Sequence, residues 1–265
     1  MKLKKSELLK IQKSAVKASH AAGELLMSYY RKRLNVREKE RSSLVTQADL
    51  ESEALIRKML AKDFPAYQFL GEESGEVGHH EKRVPTWHVD PLDGTTNFVH
   101  GFPMFCVSIG LAVGEEPVVG VIHIPTVGET FAAAKGCGAT MNGAKMKVSK
   151  RKTLGESLLT TGFAYSRDRK KLAPAIRSFQ DAHLEARAVR RPGAAAIDLA
   201  YVALGVFDGF WERNLSSWDV CAGTILVREA GGEVSNYKGG AFRMADREIL
   251  ATNGHIHGAM KKILK

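Results

Sequence analysis

Between Phe105 and Ala134 three apolar segments are separated by two short breaks, Gly114-Glu115-Glu116-Pro117 and Pro125-Thr126-Val127-Gly128. Runs of strand length joined by such short Gly- and Pro-bearing connections predict antiparallel neighbours, since a parallel crossover needs a dozen residues or more. A meander therefore forms the frame around which the rest of the chain must be arranged. The turn-rich run from Gly136 to Gly143 predicts a further hairpin before Val148.

Upstream, Leu8, Ile11, Ala15, Ala18, Ala22, Leu25 and Tyr29 recur at spacings of three and four, which predicts one face of a long amphipathic helix with Ser6 as its cap. A second helix is expected from Asp49 to Asp63, with Ala54, Leu55, Ile56 and Met59 apolar and Phe64-Pro65 as its stop. Gln68-Phe69-Leu70 and Thr86-Trp87-His88-Val89 read as strands, each ending in carboxylates. The polar stretch Gly75 to Arg83, with His79-His80, reads as an exposed loop. After Val148 the pattern changes to alternating strand and helix. Strands are expected at Ser157–Thr161, near Ala186–Val189 and at Val206–Trp211, and helices at Lys170–Glu185, from near Gly193, and from Ser216 to Ala230, closed by Gly231-Gly232. The chain reads as one α/β domain over residues 1–265, with lobes 1–150 and 151–265 meeting near Ser149–Glu156.

The remaining bulk properties mostly exclude. No stretch of about 18 uninterrupted apolar residues occurs, as a membrane-spanning helix requires. Charges at Glu7 and Lys10 interrupt the apolar run that a signal peptide needs, so a cytoplasmic protein is expected. Cys106, Cys137 and Cys221 show no paired spacing for zinc or redox chemistry and read as reduced and structural. The net charge of +10 attracts anions, whether substrates, membranes or nucleic acid, but the basic residues are dispersed, and a solvated basic surface is the simpler reading.

Chemistry concentrates at Asp90-Pro91-Leu92-Asp93-Gly94. Pro91 fixes the backbone between the aspartates and Gly94 permits a tight turn, so the two carboxylates can converge at a strand end. Like charges at that separation repel unless a cation neutralises them, and hard oxygen donors select Mg²⁺. The alternative is an ordinary Asx-rich turn. Thr95 and Thr96 follow. If they open a helix, its free N–H groups and hydroxyls face a phosphate; otherwise Thr95 is only a cap.

Taken together, Gly71-Glu72-Glu73-Ser74, the run Trp87 to Pro103, and Trp218-Asp219-Val220-Cys221-Ala222-Gly223 resemble, in order and spacing, the motifs of the inositol monophosphatase family. Leu44 to Asp49 resembles its upstream Thr/Asp motif and Met141-Asn142-Gly143 its Asn-Gly turn, so the likeness spans nearly the whole chain. The resemblance implies a layered α/β/α/β/α sandwich of the inositol monophosphatase and fructose-1,6-bisphosphatase type. It implies one Mg²⁺ on Glu72, Asp90 and the Leu92 carbonyl, a second on Asp90, Asp93 and Asp219, and a weaker third leaning on Glu72. A water on the Glu72 side would attack phosphorus in line, aided by Thr95, which Asp49 orients, with no phosphoenzyme; backbone N–H groups around Gly94 and Thr95 would bind the phosphoryl oxygens. Asp93, Ala195 and Glu212 would lie near the polyol hydroxyls, with Gly193 and Ala194 in the same loop. Read alone, Glu212 is also compatible with a surface glutamate at a strand end. Ala194 departs from the family, in which many members carry Ser or Thr, and Cys221 replaces a common Ala.

The resemblance implies hydrolysis of inositol monophosphate or a similar small polyol phosphate, with lithium sensitivity and a homodimer, for which the apolar meander from Phe105 to Ala134 offers surface. The same metal chemistry also suits fructose bisphosphate, histidinol phosphate or a nucleotide 3′-phosphate. A different class of role, binding to RNA or the transcription machinery, is permitted by the charge.

Overall fold

A computed structural model describes residues 3–32, 36–40, 43–77, 84–164, 166 and 168–264. The chain opens with α1 (Lys5–Tyr29), a hairpin of β1 (Val36–Glu40) and β2 (Ser43–Thr46), and α2 (Gln47–Asp63). There follow β3 (Gln68–Gly71), β4 (Gly75–Val77), β5 (Pro85–Asp93), the short α3 (Thr95–Val99), and the meander β6 (Cys106–Val113), β7 (Glu116–Ile124), β8 (Glu129–Ala134), β9 (Gly138–Met141) and β10 (Ala144–Lys145). The second half runs β11 (Leu158–Thr161), α4 (Arg169–Glu185), β12 (Ala188–Arg190), α5 (Ala195–Leu204), β13 (Gly209–Arg213), α6 (Ser217–Glu229), β14 (Glu233–Ser235), β15 (Glu248–Thr252) and α7 (His257–Ile263).

The first half builds a sheet ordered β10-β9-β8-β7-β6-β5-β3-β4, and the second builds one ordered β12-β11-β13-β15-β14. Helices α1 and α2 cover the outer face of the first sheet, α5 and α6 fill the space between the sheets, and α4 and α7 cover the second. This is the expected α/β/α/β/α sandwich.

Several local expectations are corrected. Lys4, not Ser6, precedes α1, and its N–H donates to Glu7 Oε2 at 2.7 Å. Toward the end of α1 it is Leu26 rather than Leu25 that is buried. Helix α2 begins two residues early at Gln47 because Thr46 caps it, and it buries Ile56 and Leu60 while Ala54 is exposed. Within the expected 75–83 loop, residues 75–77 pair as β4 with β3; His79 and His80 lie outside the described residues. The central strands of the meander are not available as pairing surface. Every residue of β6 but Val113 is buried, because β6 and β7 are central strands covered by helices on both faces.

Helix α6 lies unusually close to this sheet. A Cβ on Gly110 of β6 would sit 2.5 Å from Cys221 Sγ and 2.9 Å from Ala222 N, so the absence of a side chain there lets the helix approach. Cys221 is fully buried in that contact, which accounts for its small size. On the opposite face of the first sheet, Phe98 of α3 packs edge-on against Phe105 with ring centroids 4.9 Å apart, anchoring the turn that follows β5.

Candidate active site

The pairing of β5 with β6 slips between Asp90 and Asp93, which stand opposite Ser108 and Cys106. In a regular strand residues three apart face opposite sides; one extra residue on β5 restores the phase, so both carboxylates reach the same cavity. Gly94 then turns the chain at φ 93°, a left-handed conformation that a side chain would resist, and any Cβ there would meet Met104 O at 2.9 Å. A motif read as a tight turn is thus a bulge followed by a left-handed glycine.

Two further acids are delivered by helix starts. Asp219 is the third residue of α6, and its Oδ2 accepts the Ser216 N–H at 2.6 Å in a capping box. Asp49 occupies the same position in α2, where its Oδ2 accepts the Thr46 N–H at 2.8 Å and the Thr46 hydroxyl at 2.6 Å. Its Oδ1 lies 3.2 Å from the Thr95 hydroxyl, which is also 3.2 Å from Leu92 O. Asp93 Oδ2 accepts the Ala196 N–H at 2.7 Å from the first turn of α5. The positive ends of α2, α5 and α6 therefore all meet carboxylates here, offsetting part of their mutual repulsion.

Glu72, Asp90, Leu92, Asp93, Gly94, Thr95, Gly193, Ala194, Ala195, Glu212 and Asp219 line one cavity of about 880 Å³ between the sheets. Of the residues singled out in the sequence, Asp49 alone is absent from this lining; it is buried behind Thr95.

The electrostatics are those of too many acids in too little water. The Asp90 carboxyl is held well above its ordinary range by burial first and then by the charges of Glu72, Asp93 and Asp219. Burial pushes Asp93 up to about 7, against the stabilising Ala196 N–H. Asp219 is raised by burial and then Asp93, and Glu212 is pushed up to about 8 by burial and then Asp93, with Arg191 opposing. Such a cluster favours protons or a cation. Among the described residues no three His, Cys, Asp or Glu side chains stand in a metal-holding group as they lie; Asp90 and Asp219 each turn one oxygen to a backbone N–H instead. The donor set nonetheless fits a hard divalent ion. It is all oxygen, and the nearby Cys106 thiol, 3.9 Å from Asp93 Oδ2, is kept protonated by burial and by Asp93.

Three features were missed in the sequence. Glu53 of α2 is buried and accepts the N–H groups of Glu73 and Ser74 at 2.8 and 2.9 Å, fixing the loop that carries Glu72. The buried Asp198 lines the cavity and accepts from Thr160 Oγ1 at 2.9 Å, and Arg191 lies over the Phe163 ring at the same cavity. Glu53 was detectable in principle: Asp49, Ser52, Glu53, Ile56 and Leu60 share one helix face, so polar groups alternate with apolar ones along a buried stripe.

A profile of the inositol monophosphatase family matches residues 7–265. The chain is 44% identical over 251 residues to the inositol-1-monophosphatase of Synechocystis, covering 94% of this chain and 87% of that protein. It is 40% identical to the Nus factor SuhB of Xylella fastidiosa, covering 94% and 92%. The solved inositol monophosphatase of Anabaena superposes with a TM-score of 0.87 at 42% identity, covering 97% of this chain and 96% of that one. Fold, cavity and likeness define the class, a phosphate monoester hydrolase. Within that class, the chain belongs to the inositol monophosphatase family.

Proposed function

We propose that this enzyme removes phosphate from inositol monophosphate or a comparably small polyol phosphate, using Mg²⁺. The observation that carries the reading is the convergence of Glu72, Asp90, Asp93, Asp219 and Glu212 on one cavity beside the Thr95–Asp49 pair. Glu72, Asp90 and the Leu92 carbonyl would hold one ion, Asp90, Asp93 and Asp219 another. Bound there, Mg²⁺ supplies charge neutralisation, an acidified water and stabilisation of the leaving oxygen.

The chain's own groups do the rest. By donating to Asp49, the Thr95 hydroxyl presents its lone pairs to the cavity, where it accepts the proton of an attacking water. Asp49, its carboxyl raised chiefly by burial, is suited to receive the Thr95 proton in turn. Gly94 and Thr95 line the cavity, and their amides would hold phosphoryl oxygens as charge moves onto them. Water is the nucleophile, so no phosphoenzyme is needed. Glu212 and the Gly193-Ala194-Ala195 segment face the polyol hydroxyls; with Ala194 no hydroxyl is offered at that position, which relaxes selection among polyols.

Phosphate release measured with Mg²⁺ across inositol phosphates, fructose 1,6-bisphosphate, histidinol phosphate and adenosine 3′,5′-bisphosphate tests this. A clear preference for any of the last three replaces the substrate while leaving the chemistry. We further propose lithium sensitivity, a cytoplasmic location and a homodimer, the dimer no longer resting on the meander.

A second reading, contact with RNA or the transcription machinery, is favoured by the likeness to the Xylella Nus factor, the +10 charge and the exposed run Lys150-Arg151-Lys152. Binding of RNA that weakens steeply with added salt would support it.

A further inference from the structure

Two residues before Asp90 on β5, His88 is nearly buried, and its Nδ1 lies 2.9 Å from the hydroxyl of Ser217, two residues before Asp219 on α6. The bond joins the two elements that carry the opposite sides of the carboxylate cluster. It sits at a close approach of helix and sheet: His88 pairs across the sheet with Gly110, the residue under Cys221 of the same helix. A second tie runs beside it, from Ser108 Oγ to Trp218 O at 3.3 Å. Ser217 is the first residue of α6 and follows Ser216, whose N–H holds Asp219. Neither His88 nor Ser217 lines the 880 Å³ cavity; both line an adjoining one of about 580 Å³, behind the wall formed by Leu215, Ser216, Trp218 and Arg247.

The geometry points to His88 and Ser217 as a positioning pair that sets the distance between Asp90 and Asp219, and through it the affinity of the site for a divalent cation. Neither group needs to touch substrate or ion. A carboxylate pair held at a fixed spacing loses less freedom on taking up an ion than a pair on independently moving elements, and outer groups that orient ligands commonly govern affinity about tenfold or more. The bond forms in either histidine tautomer, with the hydroxyl donating or accepting. Because the pair borders a cavity, Ser217→Ala and His88→Asn enlarge an existing space rather than opening a new hole in the core, and His88→Phe keeps a ring there, so variants are expected to fold.

The inference rests on the metal reading above, and one experiment separates the two. MgCl₂ and MnCl₂ are titrated calorimetrically into wild-type protein and into His88→Phe, Ser217→Ala, the double variant and His88→Asn, alongside thermal melts without metal. The wild type binding no divalent cation would overturn the metal reading and this inference with it. With wild-type binding established, His88→Phe and Ser217→Ala are each expected to weaken binding roughly tenfold. The double variant should be no weaker than either alone, and His88→Asn, which keeps a hydrogen-bonding group where Nδ1 stands, should recover most of the loss. Unchanged affinity with only a lowered melting temperature would mean that the pair merely stabilises the fold. Additive losses, or no rescue by asparagine, would also overturn the inference.

Discussion

Adding one methyl group at Gly110 tests how tightly the cluster depends on the seating of α6. The Cβ would sit 2.5 Å from Cys221 Sγ and 2.7 Å from its Cβ, whereas carbon contacts are comfortable at about 3.5–4.0 Å. Relief therefore demands a displacement of about 1 Å, and the neighbours that must yield include the α6 backbone at Ala222 N, 2.9 Å away, rather than a flexible side-chain tip. Overpacking of this kind costs about 1–3 kcal/mol. Asp219 lies two residues from Cys221 on the same helix, so the shift is transmitted to the cluster, and a misplacement of about 1 Å at a reacting centre lowers turnover about a hundredfold. Gly110→Ala should thus lower both the urea midpoint and, in conditions where the protein is fully folded, kcat. Gly155→Ala, where an added Cβ meets nothing within 4 Å, is the control and should leave both unchanged. A Gly110→Ala protein with wild-type turnover would refute the claim that the close contact of α6 sets the site.

Three further outcomes follow from the same geometry. Since Asp93 is pushed up to about 7 and binding an ion must displace its proton, affinity for Mg²⁺ should rise by about tenfold from pH 6 to pH 8, and a calorimetric titration showing no change would contradict this. His123 is lowered from 6.5 to about 4 by burial and then by His20, so the unfolded chain takes its proton first; stability held above pH 6.5 should fall as the pH drops toward 4, by about 1–2 kcal/mol after allowance for its partial exposure, and urea midpoints of His123→Gln should lack that component. LiCl should inhibit phosphate release, uncompetitively toward substrate, by taking the Asp90, Asp93 and Asp219 position as product leaves, and equal responses to LiCl and NaCl would show that it does not.

Much of this was legible in the sequence because the signals are local. The meander announces itself through apolar runs and short turns, and the helix from Ser216 to Ala230 through its Gly231-Gly232 stop. What was hidden depends on partners distant in sequence. That Asp90 and Asp93 share a face follows from a register slip against Ser108 and Cys106, which no pattern within β5 reveals. Likewise, Glu53 looks like one more charge on α2 until the loop at Glu73 and Ser74 folds onto it. The meander misled in another way: its apolar segments imply burial, yet not whether helices of the same chain or a second copy supply the cover, and here α1 and α6 of the same chain supply it.

The most direct test of the carboxylate cluster is phosphate release from inositol 1-phosphate by the wild type and Asp219→Asn, each with Mg²⁺ and with excess chelator. Activity should vanish on chelation, return with Mg²⁺, and stand lower by orders of magnitude in a folded Asp219→Asn protein. Full activity after chelation, or in the Asp219→Asn protein, would contradict the account.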